Sequence, residues 1–311
     1  MAGRRFGGAS IRAKIKVMTK PLARIDLHTH STRSDGRGAP EQVMREAAEA
    51  GLDVVALTDH DTTSGWAEAA ATCAELGLEF VPGIEVTSRA LIERTDGSFE
   101  KFSVHMLAYY PDPNNQALLS TLEASVGSRV TRLKEITDLL AFDYDFDWSH
   151  VEEQLAGGKT AGRPAVADAM IARGLINERA EFFDFVKPGS KYYVPNRGVP
   201  TPEEAIRLIR GAGGVPIIAH PMARGKGPLP GQPMPTAHFE SLIEAGLGGF
   251  EAFHRDVAPH VSEWLQQLAF THDLVLTGSS DYHGTGKPNL LGENLTAPAM
   301  FERLKAQGFH A

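Results

Sequence analysis

The stretch Arg24-Ile25-Asp26-Leu27-His28-Thr29-His30-Ser31-Thr32-Arg33-Ser34-Asp35-Gly36 decides how the rest of the chain is read. Successive side chains of an extended strand point to opposite faces, so His28 and His30, two positions apart, present both imidazoles on one side. That makes a two-pronged grip for a metal ion. Asp35 follows in a Ser/Asp/Gly turn that can bring a hard oxygen ligand back over the strand end. One His-x-His pair also arises by accident on a half-polar strand, so the reading depends on whether the pattern recurs.

It does recur. Pro40 to Ala50 reads as a helix, with Pro in the first turn, early acids and Gly51 as its stop. Asp53 to His60 is an apolar run of the kind buried on both faces in a parallel sheet, and it finishes in Asp59-His60-Asp61. A helix from about Ser64 to Leu76 leads to Leu78 to Glu85, again apolar with an acid at its carboxyl end. A fourth strand over Phe102 to Tyr109 carries His105. Gly214 to Pro221, Gly249 to His254 and Leu274 to His283 complete seven candidate strands, each finishing in His, Asp or Glu. Loops that follow the strands of a parallel α/β barrel share one face. His28, His30, Asp35, His60, Glu85, His105, His220, His254, Asp281 and His283 are therefore expected to meet there. This takes seven of the twelve histidines, too many for scattered core or surface residues. A mixed imidazole and carboxylate set suits zinc, manganese or iron and argues against a pure magnesium site. With no cysteine among them, a structural thiolate zinc site is excluded.

Between residues 114 and 200 the texture changes. Leu118 to Leu140 is one long helical pattern, Gly162-Arg163-Pro164 opens a helix to about Arg173, and Phe182-Phe183-Asp184-Phe185 starts a short piece. No buried-strand run occurs there, so 114–200 reads as a helical insertion between barrel segments 24–113 and 201–311. Composition fits a soluble α/β protein: 311 residues, 42% apolar, 31 Gly and 19 Pro. The longest apolar runs, Val54 to Leu57 and Val215 to Ala219, fall far short of the roughly 20 residues of a spanning helix. The single cysteine, Cys73, rules out an internal disulfide, reads as a buried structural thiol and fits a reducing, cytoplasmic setting. A net charge of −8 is no general grip on long duplex nucleic acid. Residues 1–23 read as a disordered basic leader; Arg4, Arg5, Arg12, Lys14, Lys16 and Lys20 occur there without an acid in the first twenty positions. No apolar signal core accompanies them, and Met18 is an alternative start.

In order along the chain, His28-x-His30 with Asp35, Thr58-Asp59-His60, Gly83-Ile84-Glu85, His105, Ala219-His220-Pro221 and Ser280-Asp281-x-His283 resemble the successive motifs of the polymerase and histidinol phosphatase (PHP) family. The resemblance runs from about Ile25 to Gly292. Gly162-Arg163-Pro164, Lys191-Tyr192-Tyr193-Val194-Pro195 and Gly249 to His254 look like the branch of nucleotide phosphoesterases with a helical insertion. That branch includes enzymes acting on nucleoside 3′,5′-bisphosphates and short 5′-phosphorylated RNA, and relatives that open cyclic phosphates. The resemblance implies a distorted seven-stranded, TIM-like barrel with a trinuclear metal centre, filled by manganese or alternatively iron or zinc. It implies one metal on His28, His30, Glu85 and Asp281, a second on Glu85, His105 and His220, and a third on Asp35, His60 and His283.

Phosphoester hydrolysis needs charge neutralised at phosphorus, hydroxide near neutral pH and a stabilised leaving oxygen, which clustered divalent metals provide. In-line attack by hydroxide generated at the metals is the expected mechanism. Arg163 is expected to hold a phosphate at a helix start, and His254 to bind phosphate or protonate the leaving oxygen. Lys191 and Arg197 are candidates for charge at the mouth, and Tyr192, Tyr193 or Phe253 for stacking on a base. Asp26, Asp59 and Asp61 are expected to orient imidazoles. Position 165 is Ala where similar proteins commonly have His, with Arg129 and Arg132 as possible compensation. The expected substrate is a small phosphorylated nucleotide, adenosine 3′,5′-bisphosphate first, or a short oligoribonucleotide, with no membrane and no obligate protein partner. The alternatives are an amidohydrolase, whose barrel also begins with His-x-His but bridges metals with a modified lysine, and a binding module that has lost activity.

Overall fold

The structure, a computed structural model, describes residues 22–93, 99–155, 161–195, 197–225 and 227–308. Its centre is a seven-stranded sheet in the order β1 to β7: Ile25–Asp26, Val54–Leu57, Glu79–Glu93, Phe99–Tyr109, Val215–Ile218, Gly249–Phe253 and Val275–Gly278. Beyond the first and last strands Thr29 bridges to Tyr282, so the sheet nearly closes into a barrel. The ladder of β1 is shorter than the expected strand. The chain through His30 is still held on both sides, by Thr58 N–H to Thr29 O at 2.9 Å and His30 N–H to Tyr282 O at 2.8 Å.

One expectation is corrected here. The barrel is not all parallel: β4 runs antiparallel to both β3 and β5, while the remaining neighbours are parallel. His105 therefore does not sit at a strand's carboxyl end. It lies before the barrel portion of β4, and because that strand is reversed its earlier residues are the ones at the mouth. β3 and β4 pair from Gly83 with Tyr109 out to Glu93 with Phe99, so both extend past the rim and carry Glu85 and His105 on the way.

Helices α1 (Pro40–Glu49), α2 (Trp66–Leu76), α7 (Pro202–Gly211), α8 (Thr236–Glu244), α9 (Pro259–Thr271) and α10 (Pro298–Lys305) surround the sheet. Between β4 and β5 come α3 (Gln116–Leu140), α4 (Trp148–Leu155), α5 (Arg163–Ala172) and α6 (Arg179–Phe185). Proline opens the first turn of α1, α5, α7, α9 and α10, where its missing N–H has no helical partner to lose. At α7 the Thr201 hydroxyl accepts from Glu204 N–H and the Glu204 carboxylate accepts from Thr201 N–H, closing both ends of a capping box.

Inside the barrel Leu27, Ala56, Val81, Leu107, Ile217 and Val275 pack together, with Phe301 and Leu304 of α10 alongside. Tyr109 is fully buried there and donates to Leu27 O at 2.8 Å. A separate apolar cluster joins Leu133, Ile136 and Leu140 of α3 to Val166, Met170 and Phe182 of α5 and α6. The first turns of α3 belong elsewhere, since Leu118 and Leu122 pack with α7 and β3. Cys73, on α2, is buried against α1 and β2, as expected of a structural thiol, and burial pushes its pKa up to about 11.

Gly249 marks where backbone approach is closest: a Cβ there would run into the Val275 carbonyl of β7. Gly127, in an exposed turn of α3, has nothing within 4 Å of the same position. Gly249→Ala is expected to lose at least about 2 kcal/mol of unfolding free energy through overpacking. Gly127→Ala is expected to gain about 1 kcal/mol from helix propensity. Urea denaturation of both variants checks the pair.

Candidate metal centre

Glu85 occupies the middle of the barrel mouth. Its Oε1 lies 2.7 Å from His105 Nδ1 and 3.2 Å from His220 Nε2. Its Oε2 lies 3.2 Å from His28 Nε2, 3.0 Å from His30 Nε2 and 3.3 Å from His60 Nδ1. One carboxylate thus touches five imidazoles, contributed from around the sheet. His254 and His283 extend the group: all seven ring centroids lie within 5.7 Å of a neighbour's. Asp281 Oδ1 stands 3.4 Å from His30 Nε2 and 3.5 Å from His28 Nε2. Asp35 Oδ1 stands 3.1 Å from His283 Nε2 and 3.9 Å from His60 Nε2. All nine residues expected as ligands converge. Donor atoms of His28, His30, Glu85 and Asp281 lie within 4.8 Å of one another, as do those of His30, Asp35 and His60, and those of His60, Glu85 and His105.

A buried hydrogen-bond layer aims these rings. Glu251, fully buried on β6, accepts from His28 Nδ1 at 2.9 Å, from Ser279 Oγ at 2.6 Å and from His220 N–H at 2.7 Å. The sequence alone assigns Glu251 no role, because it sits inside a strand; its one signal is a lone acid in an apolar run. Asp59 accepts from Ser31 and Ser34, and Ser34 Oγ lies 3.2 Å from His30 Nδ1, so Asp59 orients that ring through a serine. Asp26 and Asp61 have other work. Asp26 holds the Ser280 and Gly292 N–H groups at 3.0 and 2.8 Å, and burial pushes its pKa up to about 6. Asp61 binds Thr87 and pairs with Arg129. His220, Asp281 and Asp61 all adopt positive φ, at 30°, 54° and 51°, strain that the surrounding bonds sustain.

The cluster floors a cavity of about 1320 Å³ whose other wall carries Arg129, Arg132, Arg163 and Arg179. Arg179 is held by Asp168, but among the described residues neither Arg132 nor Arg163 has a carboxylate partner. Arg132 donates to Val194 O at 2.7 Å, and its pKa falls to about 10 through burial and the nearby Arg163. Arg163 lies 5.2 Å over the Phe183 ring. His254 accepts Asp256 N–H at Nδ1 at 3.1 Å, so the neutral ring carries its proton on Nε2, facing the cluster. Lys191 is elsewhere: its ammonium pairs with Asp143 on the surface, outside the cavity lining, because the Tyr192 ring it crosses is packed among Tyr144 and Phe185. Tyr192, Phe253 and the exposed Arg197 also lie outside the lining. Among the described residues Lys287 is the one lysine of the lining, and the place between the imidazoles is taken by the Glu85 carboxylate.

The donor set fits divalent cations. Among the described residues Asp35 Oδ1, His60 Nδ1, His254 Nε2 and His283 Nε2 are buried without a well-aligned hydrogen-bond partner, and His28 Nε2 faces His30 Nε2 at 3.0 Å. With its Nδ1–H given to Glu251, a neutral His28 turns a bare lone pair on that neighbour, an arrangement a cation relieves. In the metal-free protein protons take that part. Burial opposes a charge on His30, yet hydrogen bonds to Asp281 and Glu85 raise its pKa to about 9. Burial also opposes ionised Glu85, and the surrounding imidazoles still hold it well below the carboxylate range.

Donors of this kind beside a cationic wall belong to a metal-dependent hydrolase of phosphate esters, and comparison with known proteins agrees. Residues 26–155 match the PHP domain. The chain is 31% identical over 272 residues to a phosphoribosyl 1,2-cyclic phosphate 1,2-diphosphodiesterase of Eggerthella lenta, covering 83% of this chain and 94% of that one. It is 28% identical over 277 residues to a 3′,5′-nucleoside bisphosphate phosphatase of Chromobacterium violaceum, covering 86% and 89%. A solved structure from Bifidobacterium adolescentis, assigned as a metal-dependent phosphoesterase, superposes with a TM-score of 0.81 at 36% identity over 93% of this chain and 98% of that one. The chain belongs to the PHP family of metal-dependent phosphoester hydrolases. Among the described residues no helix is long and apolar enough to cross a membrane.

Metal uptake by the metal-free protein is expected to release protons at pH 7.5, because His30 keeps its proton up to about pH 9 and must lose it to bind metal. Affinity then rises with pH toward 9, and titration calorimetry in buffers of different ionisation enthalpy counts the protons. Glu251→Gln is expected to weaken metal binding by about 10- to 100-fold through loss of His28 orientation, read in the same titration.

Proposed function

We propose that this enzyme hydrolyses phosphate monoesters of small nucleotides, with a nucleoside 3′,5′-bisphosphate as the first candidate. The single observation carrying the reading is that one cavity joins the imidazole and carboxylate cluster to the acid-free guanidinium groups of Arg132 and Arg163. A molecule with two phosphate groups answers both walls; a simple monophosphate answers one.

The proposed ligand set is His28, His30, Glu85 and Asp281 for one metal, Glu85, His105 and His220 for a second, and Asp35, His60 and His283 for a third. Manganese is the expected ion, with iron or zinc as alternatives. Divalent cations there acidify water and offset charge on the phosphoryl and leaving oxygens. The chain's own residues do the rest. Arg163 and Arg132 hold the distal phosphate, the first by its guanidinium fork. His254, neutral and with its proton on Nε2, donates to an oxygen of the reacting group. The separate apolar cluster of α3, α5 and α6 supports treating 114–200 as an insertion that supplies the distal wall.

A cavity larger than the roughly 300–1,000 Å³ of usual small-ligand sites also favours a second reading, the 5′ end of a short RNA. Manganese-loaded protein is expected to release phosphate from adenosine 3′,5′-bisphosphate, and His220→Ala to release none. Arg163→Ala is expected to lose at least about tenfold in kcat/KM on the bisphosphate while keeping its rate on an aryl phosphate. Equal loss on both substrates overturns the two-phosphate reading, and activity on short 5′-phosphorylated RNA alone replaces it with the second.

A further inference from the structure

Among the described residues Asp281 is the one cluster carboxylate gripped by a lysine. Its Oδ1 faces the imidazoles, 3.4 Å from His30 Nε2 and 3.5 Å from both His28 Nε2 and His283 Nδ1. Its Oδ2 turns the other way and accepts from Lys287 Nζ at 2.7 Å, with His254 Nε2 3.8 Å from the same oxygen. Lys287 and His254 therefore converge on one oxygen of Asp281 from the segments that follow different strands.

The ammonium is held there by a pinned loop. Ahead of it, Gly286 N–H donates to His283 O at 3.3 Å and Arg37 N–H to the same oxygen at 3.1 Å. Behind it, Asn289, buried, donates to Ser280 O at 2.6 Å. The side chain is partly exposed and lines the cavity, so it fills no core space. Electrostatically its position opposes metal binding: it competes for Asp281 and repels any divalent ion held by that carboxylate. A fixed cation in such a place has a use if an anion arrives with the substrate. An ammonium has three donors, so one can stay on Asp281 while another reaches a phosphoryl oxygen.

We propose that Lys287 is a substrate-contacting residue, whose ammonium binds a non-bridging oxygen of the reacting phosphoryl group beside His254 and rests on Asp281 when the site holds no substrate. The inference rests on the reading that a phosphoryl group docks at the cluster. It differs from a purely structural ion pair in the sign of one effect. If Lys287 merely propped Asp281, its loss would loosen the metal site; if it serves the anion, its loss relieves repulsion and tightens metal.

The test uses the full chain and two binding titrations, manganese into metal-free protein and inorganic phosphate into manganese-loaded protein. For Lys287→Gln the expected result is manganese bound about threefold tighter or more, with phosphate bound at least about tenfold more weakly. Lys287→Arg is expected to restore phosphate binding. Lys287→Met, which keeps the aliphatic stem, repeats the measurement if the glutamine variant fails to fold. Phosphate binding equal to wild type, or manganese and phosphate both weakened, overturns the assignment of Lys287 alone. Failure of loaded wild type to bind phosphate overturns the phosphoryl-docking reading, and the lysine assignment with it.

Discussion

Everything at the barrel mouth depends on one buried carboxylate. Glu85 is 1% exposed and carries a charge that burial alone would neutralise. Five imidazoles around its two oxygens keep it ionised. Those imidazoles come from β4 and from the ends of β1, β2 and β5, so the charge of Glu85 draws four strands into one site. The arrangement holds only because β3 extends beyond the rim with β4 reversed beside it, lifting Glu85 and His105 into the ring of strand ends.

A second carboxylate works behind the first. Glu251 touches His28, the His220 backbone and Ser279, and so couples three strand ends through one fully buried side chain. The same bonds sustain the positive φ of His220, while Asp26 holds the Ser280 N–H next to the equally strained Asp281. Strain of about 1–3 kcal/mol at such positions is tolerated where neighbouring bonds over-determine the backbone. A charged, strained mouth set on an apolar interior is how this barrel separates stability from chemistry.

One wall of the cavity offers the imidazole and carboxylate donors of a metal site and the other offers guanidinium groups, and the substrate reading comes from their juxtaposition. Family membership establishes metal-dependent phosphoester hydrolysis, and relatives at about 30% identity act on different esters. What distinguishes such substrates is how many anionic groups they carry and how far apart. In the proposed reading Arg132 and Arg163, from α3 and α5, hold the second phosphate.

The seven strands, the helix starts at Pro40, Pro164 and Pro202 and the nine histidines and acids that meet at the mouth were legible in the sequence, because buried strands are apolar runs and a polar residue at a strand end breaks the run visibly. His-x-His at 28 and 30 needed nothing but the period of two. Tertiary structure alone decided the rest. The direction of β4 is invisible in composition, since a strand reads the same either way. Glu251 looked like any acid in a strand until its partners, more than 200 residues away in the case of His28, came into contact. Lys191 and Lys287 are equally ordinary in sequence; one pairs with a surface acid and the other with Asp281, and only the path of the folded backbone separates them.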